Sequence, residues 1–354
     1  MLKVGLKMKK RESENMVVQV IRECLLSVPF LQLGKISIDE SALKPDFKME
    51  VRVKNKSLKI LAEYKDNGQP RVARLAAYQI KDWLAQGVAE YGVFIAPYIS
   101  PATAVICKEA GVGYLDLAGN CLLSFDTVFI HREGNVNPYI QPRKHLSLYS
   151  TKAERILRVL LADPKKNWKT EALAKAANVS YGQISNVKKL LSDQEWLETG
   201  ERGVRLKNPG VVLDGWAAQY RSQRNQTVDY YAMTDIAECE YQFAEICSQR
   251  NIRYALTAFS GAARLAPSVR YQRMYAYVEG NPDSLADALG WKRVTSGANV
   301  SLLLPYDEGV FIGTQEIDGI QIAAPVQIYL DLQSQHGRGQ EAAQNIRKVI
   351  EKSW

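Results

Sequence analysis

The chain has 354 residues, 46% hydrophobic and 24% charged, with a formal net charge of +8, enough to bury a real core in two or three domains. No apolar run approaches the roughly 18 residues of a membrane span, and Lys3, Lys7, Lys9, Lys10 and Arg11 stand where a secretory signal needs its apolar segment, so a cytoplasmic protein is expected. Cys24, Cys107, Cys121, Cys239 and Cys247 form no C-x-x-C pair, and His131, His145 and His336 lie far apart, which excludes a disulfide framework and a zinc finger.

The first predicted element is a helix over residues 13–28. Residues 46–65 then alternate, with Phe47, Met49, Val51 and Val53 on one face and Leu58, Ile60, Ala62 and Tyr64 on one face of a second run. This predicts a β-hairpin. A turn closed between Lys54 and Ser57 places Phe47 opposite Tyr64 and Asp46 opposite Lys65, with Glu63 one same-face step away. Two carboxylates and a lysine then converge. Hard divalent cations take oxygen ligands, so Asp46 and Glu63 are candidate metal ligands, with Glu50, Glu14 or Glu23 as a further one. A cation there lowers the pKa of a bound water, and Lys65 steadies the charge on a displaced phosphate. The other reading of this face is a solvated, charged side of a half-buried hairpin.

A helix over residues 71–86 carries Gln79 and Trp83 at i, i+4, followed by a strand at 92–96, a helix at 101–110 and a strand at 114–117. This order, with Pro45-Asp46 and Glu63-Tyr64-Lys65, resembles the PD-(D/E)XK restriction-endonuclease-like fold, with Trp83 where that family often has Tyr. The resemblance implies a restriction-endonuclease-like α/β domain at 1–136. It also implies a Mg2+-dependent site of Asp46, Glu63, Lys65 and Gln79, or the same fold kept as a non-catalytic dimerisation or DNA-clamping module.

Asn137 to Lys144 is proline-punctuated and basic, a linker pattern that opens a second domain at 137–225. Ser150 or Thr151 caps a helix with Ile156, Leu157, Leu160 and Leu161 at helical spacing, and Thr170 opens a second with Leu173, Ala174 and Ala177 inward. Asn178-Val179 makes a turn. Ser180 then caps a third helix, where Ile184, Val187, Leu190 and Leu191 form the inner stripe. Two strands at 196–199 and 203–207 flank Gly200-Glu201-Arg202. Between residues 141 and 225 there are 16 Lys plus Arg against 8 Asp plus Glu, an excess equal to that of the whole chain and the footprint of a nucleic-acid binder.

The run from Thr170 through Leu173-Ala174, Val179-Ser180 and Ile184-Ser185 to Leu190 resembles the bacterial helix-turn-helix family, here with a wing. The resemblance implies a third helix entering the major groove of double-stranded DNA with Ser180, Tyr181, Gln183, Ser185, Asn186, Lys188 and Lys189, while Arg202 and Arg205 of the wing meet phosphate or a minor groove. A winged helix serving protein contacts is the alternative.

From residue 226 to 354 helical and extended signals alternate: a helix at 236–250, extended segments at 253–257, 274–278 and 300–304, and a terminal helix from about 339. This predicts a mixed α/β domain. Ser260-Gly261 is similar to the opening of a nucleotidyltransferase, but no Asp-x-Asp follows it. Val326 to Leu332 with Gly337 to Ala343, Gly113 to Asn120, and Glu63 to Arg71 resemble segments of the AbiEi-type antitoxin and transcriptional-regulator family. That resemblance implies an autorepressor of a type IV toxin-antitoxin-like system that counters a nucleotidyltransferase-like toxin. The alternative is a metal-dependent DNA endonuclease targeted by its winged helix. A homodimer is left open.

Overall fold

The computed structural model describes residues 2–39, 44–139, 147–267, 270–335 and 338–354, with side chains from residue 12 onward. The chain forms two compact units, Met1–Pro142 with Asp193–Glu195, and Arg143–Ser192 with Trp196–Trp354. Both are α/β. Among the described residues no helix is long and apolar enough to cross a membrane. Residues 140–144 of the expected linker, His145, His336 and Gly337 lie outside the described residues.

In the first unit, helix α1 (Leu2–Leu26) precedes strands β1 (Leu31–Ile38), β2 (Phe47–Val53) and β3 (Lys56–Tyr64). Then follow α2 (Pro70–Ala85), β4 (Tyr91–Ala96), α3 (Pro101–Glu109), β5 (Gly113–Asp116), β6 (Cys121–Phe125) and β7 (Val128–Arg132). The strands lie in sequence order in one sheet, antiparallel except for the parallel run β3-β4-β5. The period-two alternation divides the core. Phe47, Met49, Val51, Ile60 and Ala62 pack with Val17, Ile21 and Leu25 of α1, while Leu61 and Phe94 pack with Ala73, Ala77, Ile80 and Trp83 of α2.

Three features depart from expectation. Helix α1 begins well before residue 13, and β1 and the β6-β7 hairpin are additions. The alternation of β1 is broken by an irregularity between Leu33 and Ile36, which hides it from a periodicity reading. The hairpin also closes one residue pair sooner than predicted. Val53 pairs with Lys56 around a two-residue turn in which Lys54 takes φ 54°, the kind of tight turn that matches the twist of two strands. Phe47 therefore stands opposite Ala62, not Tyr64, and Asp46 comes level with Glu63 and not with Lys65.

The second unit opens with α4 (Thr151–Ala162), α5 (Thr170–Ala177) and α6 (Tyr181–Asp193), then an antiparallel ribbon of β8 (Leu197–Gly200) and β9 (Gly203–Leu206). Asn178, in the left-handed region at φ 50°, turns the chain from α5 into α6. Gly203, at φ 125°, has the Trp168 carbonyl where a Cβ would stand, so the ribbon closes against Trp168 only with glycine there.

Helix α7 (Pro209–Gln219) leads into β10 (Gln226–Tyr231), α8 (Ile236–Gln249), β11 (Tyr254–Leu256), α9 (Ala258–Leu265), β12 (Met274–Val278), α10 (Pro282–Ala288), β13 (Lys292–Arg293) and β14 (Val300–Leu304). The chain ends with β15 (Gln315–Ile317), β16 (Ile320–Ile322), α11 (Pro325–Gln333) and α12 (Arg338–Ser353). Their mixed sheet runs β13-β10-β14-β12-β11-β16-β15. One apolar core runs without a break from Ile156 and Leu173 of the three helices to Leu302, Ile328 and Ile346.

Candidate functional site

Two surfaces hold the residues singled out by sequence. On α6, Ile184, Val187 and Leu191 are buried in the core, which turns Tyr181, Ser185, Asn186 and Lys189 outward and leaves Gln183 and Lys188 half-buried. Ser180 caps the helix, its Oγ accepting from the Gln183 amide at 3.3 Å, so this hydroxyl is already engaged. An open groove of about 820 Å³ runs along this end, lined by Lys152, Glu171, Lys175, Asn178, Ser180, Tyr181 and Gln183. On the ribbon, Arg202 is exposed, whereas Arg205 Nε donates to Glu198 Oε2 at 2.8 Å across the strands. Arg205 is thereby partly neutralised.

The local charge excess has two destinations. Arg155 donates to Asp307 at 2.6 and 2.7 Å and to Glu308 at 2.6 Å, Arg224 donates to Glu154 at 2.7 Å, and Arg158 is buried against Gln327 and the Trp216 ring. These arginines hold the fold. Outward cations among the described residues include Lys152, Lys165, Lys169, Lys175, Lys189, Lys207, Arg202 and Arg221, with Lys166 over the Trp168 ring at 4.0 Å. Among the described residues the outward positive charge is thus mostly lysine, with part of the arginine count engaged in internal ion pairs.

In the first unit, Asp46, Glu63 and Lys65 do come together. Asp46 Oδ2 accepts from the Tyr64 amide at 2.9 Å, Glu63 Oε2 accepts from the Asp46 amide at 3.4 Å, and Lys65 Nζ donates to Glu63 Oε1. Glu63 is 3% exposed, and burial, reinforced by the charge of Asp46, pushes its carboxyl up against the pull of Lys65. The other expected members are elsewhere. Gln79 is half-buried on α2 with no hydrogen bond to the trio, and Trp83 belongs to the core. Glu50 accepts from Ser57 on the exposed hairpin, and Glu23 accepts from Gln19 on α1, which covers the opposite face of the sheet.

Two carboxylates, one of them engaged by Lys65, converge here, and Mg2+ is commonly held by one or two carboxylates together with substrate phosphate oxygens. Among the described residues no group of three or more His, Cys, Asp or Glu side chains is placed to hold a metal ion. Asp46 and Glu63 are the residues that would hold a divalent cation here, with Lys65 engaging Glu63 Oε1. Gly113 to Asn120 is structural: buried Asp116 accepts from the amides of Ile99 and Asn120 and from Asn120 Nδ2, and Asn120 Oδ1 accepts from the Asn135 amide. Gly68, in the Glu63 to Arg71 motif, has the Tyr98 carbonyl where a side chain would go.

A third cluster was not anticipated. Asp331 on α11 is buried and accepts from Tyr220 Oη at 2.7 Å, Tyr277 Oη at 2.9 Å, Thr257 Oγ1 at 2.5 Å and Gln327 Nε2 at 3.0 Å. Gln327 Oε1 in turn accepts from Arg158 Nε at 3.1 Å. Burial raises the Asp331 carboxyl although four donors pull it down. The sequence signal was present: Gln327 and Asp331, at i, i+4, are the two polar residues besides Tyr329 in the Val326 to Leu332 segment already singled out.

No curated protein and no solved structure is matched by the chain. Residues 205–351 match the family model described as "Transcriptional regulator, AbiEi antitoxin, Type IV TA system". That match starts on the ribbon, covers the α/β sheet and includes Gln327 and Asp331, so it is to the AbiEi family of type IV antitoxin regulators that this part of the chain is similar.

Proposed function

We propose that this protein is a DNA-binding transcriptional regulator that serves as antitoxin and autorepressor in a type IV toxin-antitoxin-like system. Residues 137–225 are read as a winged helix-turn-helix that binds double-stranded DNA, residues 226–354 as the antitoxin-type domain that counters a nucleotidyltransferase-like toxin, and residues 1–136 as a restriction-endonuclease-like layer without hydrolytic activity. The observation that carries this reading is the family match over residues 205–351 adjoining a three-helix unit whose third helix turns Tyr181, Ser185, Asn186 and Lys189 outward. Asn186 and Gln183 suit paired hydrogen bonds to adenine edges, and Lys188, Lys189 and Arg202 suit phosphate.

The test is fluorescence anisotropy with duplexes tiling the DNA upstream of the gene, against shuffled duplexes of equal composition, over a salt series. One tile is expected to bind at least ~10³-fold more tightly than the shuffled control, with a steep fall in affinity as salt rises. Equal affinity for every duplex would sink the reading.

A further inference from the structure

Cys24 lies near the end of α1 and Cys121 opens β6, yet their sulfurs are 3.6 Å apart, with the Cys24 thiol donating to the Cys121 sulfur. Both are buried. No other pair of sulfurs makes such a contact among the described residues. Cys24 is flanked on α1 by Ile21 and Leu25, and Leu123 is on the same face of β6 as Cys121. These three residues help line an apolar void of about 10 Å³, room for one molecule the size of water. A disulfide has its sulfurs about 2.05 Å apart, so an approach of ~1.5 Å converts contact into bond.

We propose that Cys24 and Cys121 form a reversible oxidation site, at which hydrogen peroxide converts a packed dithiol into a disulfide that ties α1 to the sheet. Cys121 pairs across the strands with Arg132, whose charge favours its thiolate, and this neighbour assigns Cys121 the role of the attacking sulfur. The Cys121 thiolate attacks a peroxide oxygen, the O–O bond breaks, and the hydroxide released takes up the proton that Cys121 gave away. Cys24 then attacks the sulfenic sulfur, the S–O bond breaks, and the departing hydroxyl leaves as water with the Cys24 proton. Two thiols lose two hydrogens in all, and one peroxide becomes two waters.

The test treats the full, reduced, native chain with hydrogen peroxide, blocks remaining thiols with iodoacetamide in denaturant, and maps peptides by mass spectrometry with and without dithiothreitol. The expected result is a Cys24–Cys121 peptide pair lighter by two hydrogens and released by dithiothreitol, while Cys107, Cys239 and Cys247 stay alkylated. In Cys24→Ala, Cys121 is expected to accumulate a dimedone-reactive sulfenic acid. Should that variant not fold, the wild-type map decides alone. Two alkylated thiols at 24 and 121, or linkage formed only when peroxide is added in denaturant, overturns the proposal and leaves the pair as packing.

Discussion

Replacing Asp331 by alanine removes the acceptor on which Tyr220, Tyr277, Thr257 and Gln327 converge. The loss is less than four hydrogen bonds. Gln327 Nε2 donates to the hydroxyls of Tyr220 and Tyr277 at 2.9 and 3.1 Å and so cannot accept from them, but those hydroxyls are 3.4 Å from each other, so one tyrosine can donate to the other while the second tyrosine and the buried Thr257 lose their acceptor. A buried donor without a partner costs about 1–3 kcal/mol, and removing one member of a buried charged network costs about 3–5 kcal/mol. Relief of the carboxylate's own burial offsets part of this. We expect a net loss of about 3 kcal/mol, or roughly 6–12 °C in Tm for a unit of this size. Urea unfolding followed by tryptophan fluorescence reads it well, because Trp168, Trp196, Trp216, Trp291 and Trp354 all lie in the second unit.

A pH series sharpens the same experiment. The folded-state pKa of Asp331 is raised, chiefly by burial, so the native state holds that proton longer than the unfolded chain does. Stability from this group is full below the ordinary aspartate range and falls as pH rises through the elevated value. Asp331→Asn should lose that fall. A cost under about 1 kcal/mol for the alanine variant, or an unchanged pH profile for the asparagine variant, would refute the account of the cluster.

Four further outcomes are expected. Lys188→Ala and Lys189→Ala should each weaken DNA binding similarly on every sequence and reduce the slope of log K against log salt by about 1, whereas Asn186→Ala should relax sequence preference; anisotropy separates the two. Incubated with Mg2+ or Mn2+, the wild-type chain should leave supercoiled plasmid intact, and nicking that disappears in Glu63→Gln would revive the nuclease reading. Since burial raises the Glu63 carboxyl, Glu63→Gln should also flatten the decline in first-unit stability as pH climbs past the ordinary glutamate range, read by circular dichroism. Gly203→Ala should cost about 1–3 kcal/mol through its positive φ and the Trp168 carbonyl, measured by thermal unfolding.

Much of the secondary structure was legible because its periodicities are clean. The alternation of Phe47, Met49, Val51 and Val53 gave β2, and the stripe of Ile184, Val187 and Leu191 gave α6. Register was harder. Two turns compatible with Lys54-Asn55-Lys56-Ser57 differ by one residue pair, and only the backbone geometry of Lys54 separates them. The meeting of Asp46 with Glu63 was readable from strand parity, but the distance of Gln79 was not, since a residue on the following helix is placed by packing and not by alternation. Charge counting erred in a physical way. It treats Arg155, Arg158 and Arg224 like Lys189, although their partners Asp307, Gln327 and Glu154 are visible only once the chain is folded.

Those three arginines also bear on how the molecule has to be handled. Cut after the ribbon, a fragment ending near residue 207 would lose Asp307, Glu308 and Gln327, stranding Arg155 and Arg158 in what had been interior and opening the apolar side of α4 to water. The three helices α4, α5 and α6 are thus not a portable cassette. Any shorter version meant to bind nucleic acid has to carry the sheet along or have its first helix rewritten.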